Sequence, residues 1–305
     1  MQKIRPLHSW GAQTRSDKIL DVFIIVIMTL LLLAFIWPLY FVLIASVSDP
    51  AAVWRGEVVL LPVRPTLDGY RALLAYKDIW IGYKNTILYT VAGTSVNLVL
   101  TICAAYPLSC KSFMPRNLIM VFIVITMFFS GGLIPSYLMV QSLHLIDTPL
   151  AMILPNAVAA GNIIITRTYF QSSIPDTLRE AAELDGASPL RFLLQIVLPL
   201  SGAILAVMAL YYGIAHWNSY FNALIFLNKK ALFPLQLFLR DLLVRNRVSA
   251  DMMIGLDATQ AAARAQLAEL IKYGSIIVSS LPLLIAYPFV QKHFVKGVMI
   301  GAIKG

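Results

Sequence analysis

The run IPDTLREAAELDGASPLRFLLQIVLP, Ile174 to Pro199, joins two apolar stretches of a 305-residue chain. Within it Glu180-Ala181-Ala182, Gly186, Ile196 and Leu198-Pro199 form the spacing EAA-x3-G-x9-I-x-LP. Ile174, Leu178, Ala181 and Ala182 fall at i, i+4, i+7 and i+8, one stripe of a helix. Asp176, Glu180 and Glu183 line another face, and Arg179 is spaced to pair with Glu183 at i+4. Pro175 suits the first helical turn, with Ser173 placed to cap it. Gly186 follows Asp185 where a helix would end in a left-handed residue. Ser188-Pro189 then restarts a helix expected to run through Ile196 to Leu198, with Pro199 ending or kinking it. A helix this short is marginal alone in water and needs a surface for its apolar stripe. That surface is the inner leaflet, the chain's own bundle or a soluble partner, and the full spacing favours the partner.

Outward from this knuckle the chain is a membrane protein. Apolar residues make up 59% of it and charged residues 13%. Six segments hold no Lys, Arg, Asp or Glu: Val22 to Val47, Thr86 to Ser109, Leu118 to Leu143, Pro149 to Thr166, Pro199 to Leu227 and Gly274 to Val290. At the chain's average frequency about 18 charges would fall there. Each segment is near or above the length that spans about 30 Å of hydrocarbon at about 1.5 Å per residue. The expected fold is all-α, a polytopic membrane protein of six transmembrane helices. The first segment is too long for a cleaved signal and reads as a retained span.

Charge asymmetry favours both termini inside. The loop from Cys110 to Asn117 carries Lys111 and Arg116, whereas His144 to Thr148 carries neither Lys nor Arg. The knuckle then faces the cytoplasm. The net charge of +9 suits attraction to anionic lipid spread over several loops, and no basic stripe with interleaved aromatics suggests nucleic acid. Cys103 and Cys110 offer neither a disulfide framework nor metal spacing, and read as small packing residues.

The spans are not uniform. The third carries Phe128-Phe129-Ser130-Gly131-Gly132-Leu133-Ile134-Pro135, whose glycines and proline weaken the helix ladder. Such a break is tolerated at membrane depth where protein or a wet cavity satisfies the freed backbone. The fifth holds His216, Trp217, Asn218, Tyr220 and Asn222, with Asn218 and Asn222 at i, i+4. Broken or polar helices at membrane depth suggest a translocation pathway. Ser130, Gly131, Gly132, Trp217, Asn218, Tyr220 and Asn222 are therefore the candidate solute pathway. An aromatic belt at the outer interface is the competing reading of the same residues. His216 reads as an interfacial hydrogen-bonding residue.

Taken with its spacing, the knuckle resembles the EAA loop of the membrane subunits of ATP-binding-cassette (ABC) importers. The likeness covers nearly the whole chain and is to the sugar-importer branch typified by the smaller maltose permease subunit. It is carried also by Ile174-Pro175, Asp185-Gly186-Ala187-Ser188, Trp217-Asn218 and the tail Lys296-Gly297-Val298-Met299 ending Lys304-Gly305. The Phe129 to Tyr137 run is similar to a subgroup associated with lipoprotein-fed uptake of polysaccharide-derived oligosaccharides. The resemblance implies a type I importer. Two non-identical permease subunits form the pathway, two copies of an ABC ATPase sit beneath, and an extracytoplasmic sugar-binding protein, in this subgroup a lipoprotein, delivers the solute. Glu180, Ala181, Ala182, Asp185 and Gly186 would form the ATPase-coupling helix. No G-x-x-x-x-G-K-[ST] occurs, so this chain is expected to bind no cofactor and to be no enzyme, with ATP and Mg held by the partner ATPase. The domain reading is 1–21 cytoplasmic tail, 22–85 first helix and outer loop, 86–292 importer transmembrane domain with the EAA loop at 170–199, and 293–305 cytoplasmic tail. The location implied is the bacterial cytoplasmic membrane.

Ser48 to Asn85, with Trp54 and Trp80, and Asn228 to Tyr273 read as outer loops. The latter is expected to hold a surface helix from Leu235 to Val244, a turn-rich tip from Arg245 to Asp257 and a second helix from Ala258 to Ile271. The tip serves either a binding protein or simply as a solvated cap. Two other readings stay open: an ABC permease for a polyamine or oxyanion, and a secondary carrier. The carrier is disfavoured because the six segments hold no ionisable residue but His216.

Overall fold

The computed structural model describes residues 14–251, 266 and 268–288, all helical or irregular with no strand among them. The C-terminal tail motif and most of the expected 258–271 helix lie outside the described residues. By packing, residues 14–72, 266 and 268–277 form one unit, and 73–251 with 278–288 another.

In the first unit α1 (Arg15–Ser46) begins on a capping box. The Thr14 hydroxyl accepts from the Asp17 N–H at 3.3 Å, and the Thr14 N–H donates to the Asp17 carboxylate at 3.1 Å. Its 32 residues reach about 48 Å, more than a bilayer's hydrocarbon. Phe23, Leu32, Leu33 and Phe35 are exposed on all sides of it, which suits lipid or another chain rather than water. At its C-terminal end α2 (Pro50–Trp54) and the start of α3 (Asp68–Ala75) make a small cap. Ser48 Oγ donates to the Ile44 carbonyl at 2.6 Å and accepts from the Val63 N–H at 3.2 Å, while the Tyr70 hydroxyl donates to Ser46 Oγ at 2.7 Å.

The second unit is organised on α4 (Lys77–Ser109), an unbroken helix of 33 residues. Asn85, Tyr89, Gly93, Asn97, Thr101 and Ala105 recur every fourth position on its buried face. It begins at Lys77 rather than Thr86, because the charges of Lys77, Asp78 and Lys84 do not interrupt the helix's own backbone hydrogen bonds. The third hydrophobic segment is sharply broken: α5 (Arg116–Phe128) and α6 (Leu133–Ser142) meet at 117°. Gly132, at φ +81°, takes a conformation that L side chains resist. The fourth consists of α7 (Leu150–Ile153), a 3₁₀ turn Leu154–Asn156 and α8 (Ala160–Ser173), bent by 58° where Pro155 removes a backbone donor.

After α8 come α9 (Asp176–Leu184), α10 (Pro189–Phe192), a π-helical turn Leu193–Val197 and α11 (Leu198–Leu200). The chain then bends by 82° into α12 (Gly202–Trp217). Pro199 lies inside α11, so the kink falls at Ser201 rather than at the proline. Helices α13 (Tyr220–Phe226), α14 (Leu235–Asp251) and α15 (Ala268–Pro288) complete the described chain. The tip expected from Arg245 is helical as far as Asp251, since neither Gly nor Pro interrupts that stretch. Among the described residues three helices are long and apolar enough to cross a membrane unbroken, and three bent pairs bring the possible crossings to six.

One loop anchor has a defined pH response. The Asp147 carboxylate accepts from the backbone N–H groups of Asn228 and Lys229, and its own N–H donates to the Phe226 carbonyl at 3.0 Å. The Asn228 and Lys229 N–H groups hold its carboxyl below the usual carboxylate range. A depressed folded pKa gives stability that is full above the unfolded value of about 3.9 and lost as pH falls through the folded value. Thermal unfolding should therefore show no titration of this anchor between about pH 5 and 8. Asp147→Asn should lower the midpoint equally at both ends of that range.

Candidate coupling site and solute pathway

The knuckle enters through Ile174, held extended by the proline after it (φ −110°, ψ 102°). Ser173 consequently ends α8 instead of capping α9, and Pro175 is the N-cap with no side-chain bond. At the other end of α9 the Ala187 N–H donates to the Ala182 carbonyl at 2.8 Å and the Gly186 N–H to the Glu183 carbonyl at 3.0 Å. This is a Schellman motif, with Asp185 at the C-cap and Gly186 at φ +73°. Ser188 then caps α10, its hydroxyl accepting from the Arg191 N–H at 3.3 Å.

One face of α9 is packed on the chain itself. Ile174 and Ala182 are buried with Leu108, Phe192 and Val197. The Tyr106 hydroxyl, near the C-terminal end of α4, donates to the Pro189 carbonyl at 3.1 Å. Lys111 pairs with Asp176 and holds that carboxyl below its usual range. Arg179 forms no ion pair with Glu183; its guanidinium lies 6.0 Å from the centroid of the Phe192 ring on α10. A cavity of about 270 Å³ lies at this root, lined by Tyr106, Cys110, Phe113, Arg179, Glu183 and Phe192. The expected stripe is thus divided, with Ile174 and Ala182 inward and Leu178 and Ala181 outward. The outward face carries Leu178, Glu180, Ala181, Asp185 and Leu184, which is 90% exposed.

At the other candidate site Ser130, Gly131 and Gly132 occupy the 117° turn and are exposed, between Phe129 at 77% and Ile134 at 72% exposure. The fifth segment is broken as well. Asn218 and Ser219 leave the helix between α12 and α13, so Asn218 and Asn222 do not share a continuous helical stripe. The side chains at the break bond back to the last turn: Asn218 Nδ2 donates to the Ile214 carbonyl at 3.0 Å and Ser219 Oγ to that of His216 at 2.7 Å. Trp217 is buried, its indole N–H donating to the Ser279 carbonyl at 2.9 Å. Tyr220 is 44% exposed and Asn222 half-buried. His216 is buried and hydrogen-bonded to Asn97.

The sequence and fold have close counterparts. The polygalacturonan/rhamnogalacturonan transport system permease protein YtcP of Bacillus subtilis is 36% identical over 289 residues, covering 95% of this chain and 99% of its own. Protein LplC of the same organism is 35% identical over the full length of both chains. A chain in the crystal structure of a bacterial ABC transporter involved in the import of the acidic polysaccharide alginate matches with a TM-score of 0.81 and 33% identity. That match covers 95% of this chain and all of the other. No protein-family model matches the chain.

The chain belongs to the sugar-importer branch of the ABC permeases. In this permease the residues of the EAA spacing form one compact knuckle, whereas the two groups of candidate pathway residues lie at separate breaks. Tyr106, Lys111 and Phe192, which seat the knuckle on the bundle, were not legible as site residues. The one signal for Lys111 in the sequence is its charge in the short loop from Cys110 to Asn117.

Proposed function

We propose that the permease is one membrane-spanning subunit of a bacterial cytoplasmic-membrane importer for oligosaccharides, driven by a separate ABC ATPase. The observation that carries this reading is the outward face of the knuckle. Leu178, Ala181 and Leu184 are apolar and exposed on a helix fixed at both ends, with Glu180 and Asp185 beside them. A rigid, partly apolar prominence of this kind suits a cleft in a soluble partner. ATP and Mg would be held by two copies of that ATPase, and Glu180, Ala181, Ala182, Asp185 and Gly186 would transmit its movement mechanically. A second, non-identical permease subunit completes the pathway, and an extracytoplasmic binding protein delivers the solute. The relatives named for polygalacturonan/rhamnogalacturonan and for alginate support a polysaccharide-derived solute rather than a polyamine or an oxyanion.

Both termini are placed in the cytoplasm in this reading. A cysteine introduced by Ser188→Cys should be labelled from the cytoplasmic side alone, and one by Ser249→Cys from outside alone. The reverse pattern would put the knuckle out of the ATPase's reach.

The solute pathway is proposed at the breaks of the third and fifth segments. Exposed backbone at Ser130, Gly131 and Gly132 cannot face lipid without partners, and a wet pathway provides them. With the Trp217 indole engaged by Ser279, contact with the solute falls mainly to Asn218, Tyr220 and Asn222. Asn218→Leu should lower uptake about tenfold, with assembly and basal ATPase intact, through loss of a buried polar contact to the sugar. Unchanged uptake kinetics in both Asn218→Leu and Asn222→Leu would assign the sugar contacts to the partner permease.

A further inference from the structure

Asn97 lies at the middle of α4's buried face and is 0% exposed. Its Nδ2 donates to the Asn156 carbonyl at 2.7 Å, which fixes the amide's orientation and leaves Oδ1 as an acceptor. His216 Nε2 lies 2.7 Å from that Oδ1, so the ring donates from Nε2. Gly93, one turn away on α4, leaves the room for the ring. A Cβ at Gly93 would come within 2.4 Å of His216 Nε2. One turn the other way the hydroxyls of Thr101 and Tyr212 meet at 2.7 Å.

The partners of Asn97 are not ordinary helix positions. Asn156 ends the 3₁₀ turn at the break of the fourth segment. His216 stands in the last turn of α12, and its carbonyl accepts the Ser219 hydroxyl that caps the break of the fifth. Both breaks are therefore tied to α4, which is itself unbroken. The far ends of α4 are fixed too: Tyr106 reaches Pro189 in the knuckle, and Asn85 Nδ2 donates to the carbonyls of Ala231 at 2.8 Å and Phe233 at 3.0 Å.

We infer that the Asn97–His216 pair is a positioning contact that couples movement of the knuckle, through α4, to the break in the fifth segment. The two residues touch neither the solute nor the ATPase; they hold the break to the rod that the knuckle moves. In this buried seam an apolar side chain at either position leaves the other's polar group unpaired, so the break loses its fixed relation to α4. The inference rests on the transport reading for the source of the movement, and is independent of which solute passes.

The test uses the assembled complex of both permeases and the ATPase in lipid nanodiscs. An environment-sensitive fluorophore is placed by Phe221→Cys in a Cys103→Ala/Cys110→Ala background; Phe221 is 51% exposed, beside the break. ATP should change the fluorescence in the parent complex. His216→Leu and Asn97→Leu should reduce that amplitude by roughly threefold or more with ATP binding unchanged. His216→Gln, whose amide donates to the same oxygen, should retain it. Where a leucine variant does not assemble, Asn97→Ser removes both contacts with less added bulk and should give the same loss. Full amplitude in His216→Leu or Asn97→Ser, or no ATP response in a parent complex that imports its solute, overturns the inference. An ATP response that His216→Leu abolishes, in a complex that imports no carbohydrate, upholds it and sinks the solute assignment instead.

Discussion

Gly186→Val should abolish ATP-dependent uptake while the permease still inserts in the membrane. Gly186 sits at φ +73° with nothing within 4 Å of the place a Cβ would occupy, so the obstacle is the backbone and not crowding. Holding a β-branched residue there costs about 1–3 kcal/mol. If the residue instead leaves the left-handed region, the Ala187–Ala182 and Gly186–Glu183 bonds that close α9 are lost, at about 1 kcal/mol each. Either way the equilibrium between the intact and the opened knuckle shifts toward opening by about 5- to 150-fold, and docking weakens with it. Gly186→Asn should be far milder, since Asn tolerates this region. Glu180→Lys tests the same surface by charge: Glu180 is exposed, so reversal should spare folding and release or uncouple the ATPase. Uptake per assembled complex and copurification of the ATPase are the measurements. Normal values in both Gly186→Val and Glu180→Lys would remove the knuckle from the coupling path.

Gly82→Val should have the next largest effect, this time on assembly. A Cβ at Gly82 would lie 2.8 Å from the Leu235 Cα and 2.9 Å from the Phe238 ring. The first is backbone and cannot swing aside. The start of α14 must lift from α4, breaking the 2.8 Å bond from the Leu235 N–H to Thr86 Oγ1 and displacing the Ala231 and Phe233 carbonyls from Asn85. Overpacking of this kind costs about 1–3 kcal/mol before the lost hydrogen bonds are counted. The expected result is a lower unfolding midpoint and a reduced yield of assembled complex. Gly56→Val makes the contrast: φ is +70° but the surroundings are open, so strain there is local and assembly should survive. Equal yields for Gly82→Val and the parent would mean that α14 does not lie against α4.

The crossing segments were legible because exclusion of charge from lipid is a composition signal that needs no tertiary information. Leu118 to Leu143 shows where that signal stops. The Gly131-Gly132-x-x-Pro135 pattern indicates a weakened helix, but nothing local to it fixes the 117° to which α5 and α6 turn. The fifth segment shows the converse. Neither Gly nor Pro marks Asn218 and Ser219, and the helix breaks there because their side chains take the carbonyls of the preceding turn. The knuckle is legible where its geometry is local: Gly186 is left-handed and Ser188-Pro189 restarts a helix, as the spacing predicts. It was read poorly where partners come from afar. Arg179 faces Phe192 and not Glu183, and Asp176 pairs with Lys111 from a distant loop. The Asn97–His216 contact spans 119 positions, and no pattern in either helix points to the other.

Movement of a carbohydrate by this permease under the drive of a separate ATPase is tested most directly by transport in a defined system. The complex of both permeases and the ATPase is reconstituted in proteoliposomes with its binding protein, and entry of a radiolabelled galacturonate or mannuronate oligosaccharide is followed. Entry should require ATP on the knuckle's side and the binding protein on the other, and it should stop with Gly186→Val. Entry that proceeds without ATP and follows an imposed proton or sodium gradient would contradict the account.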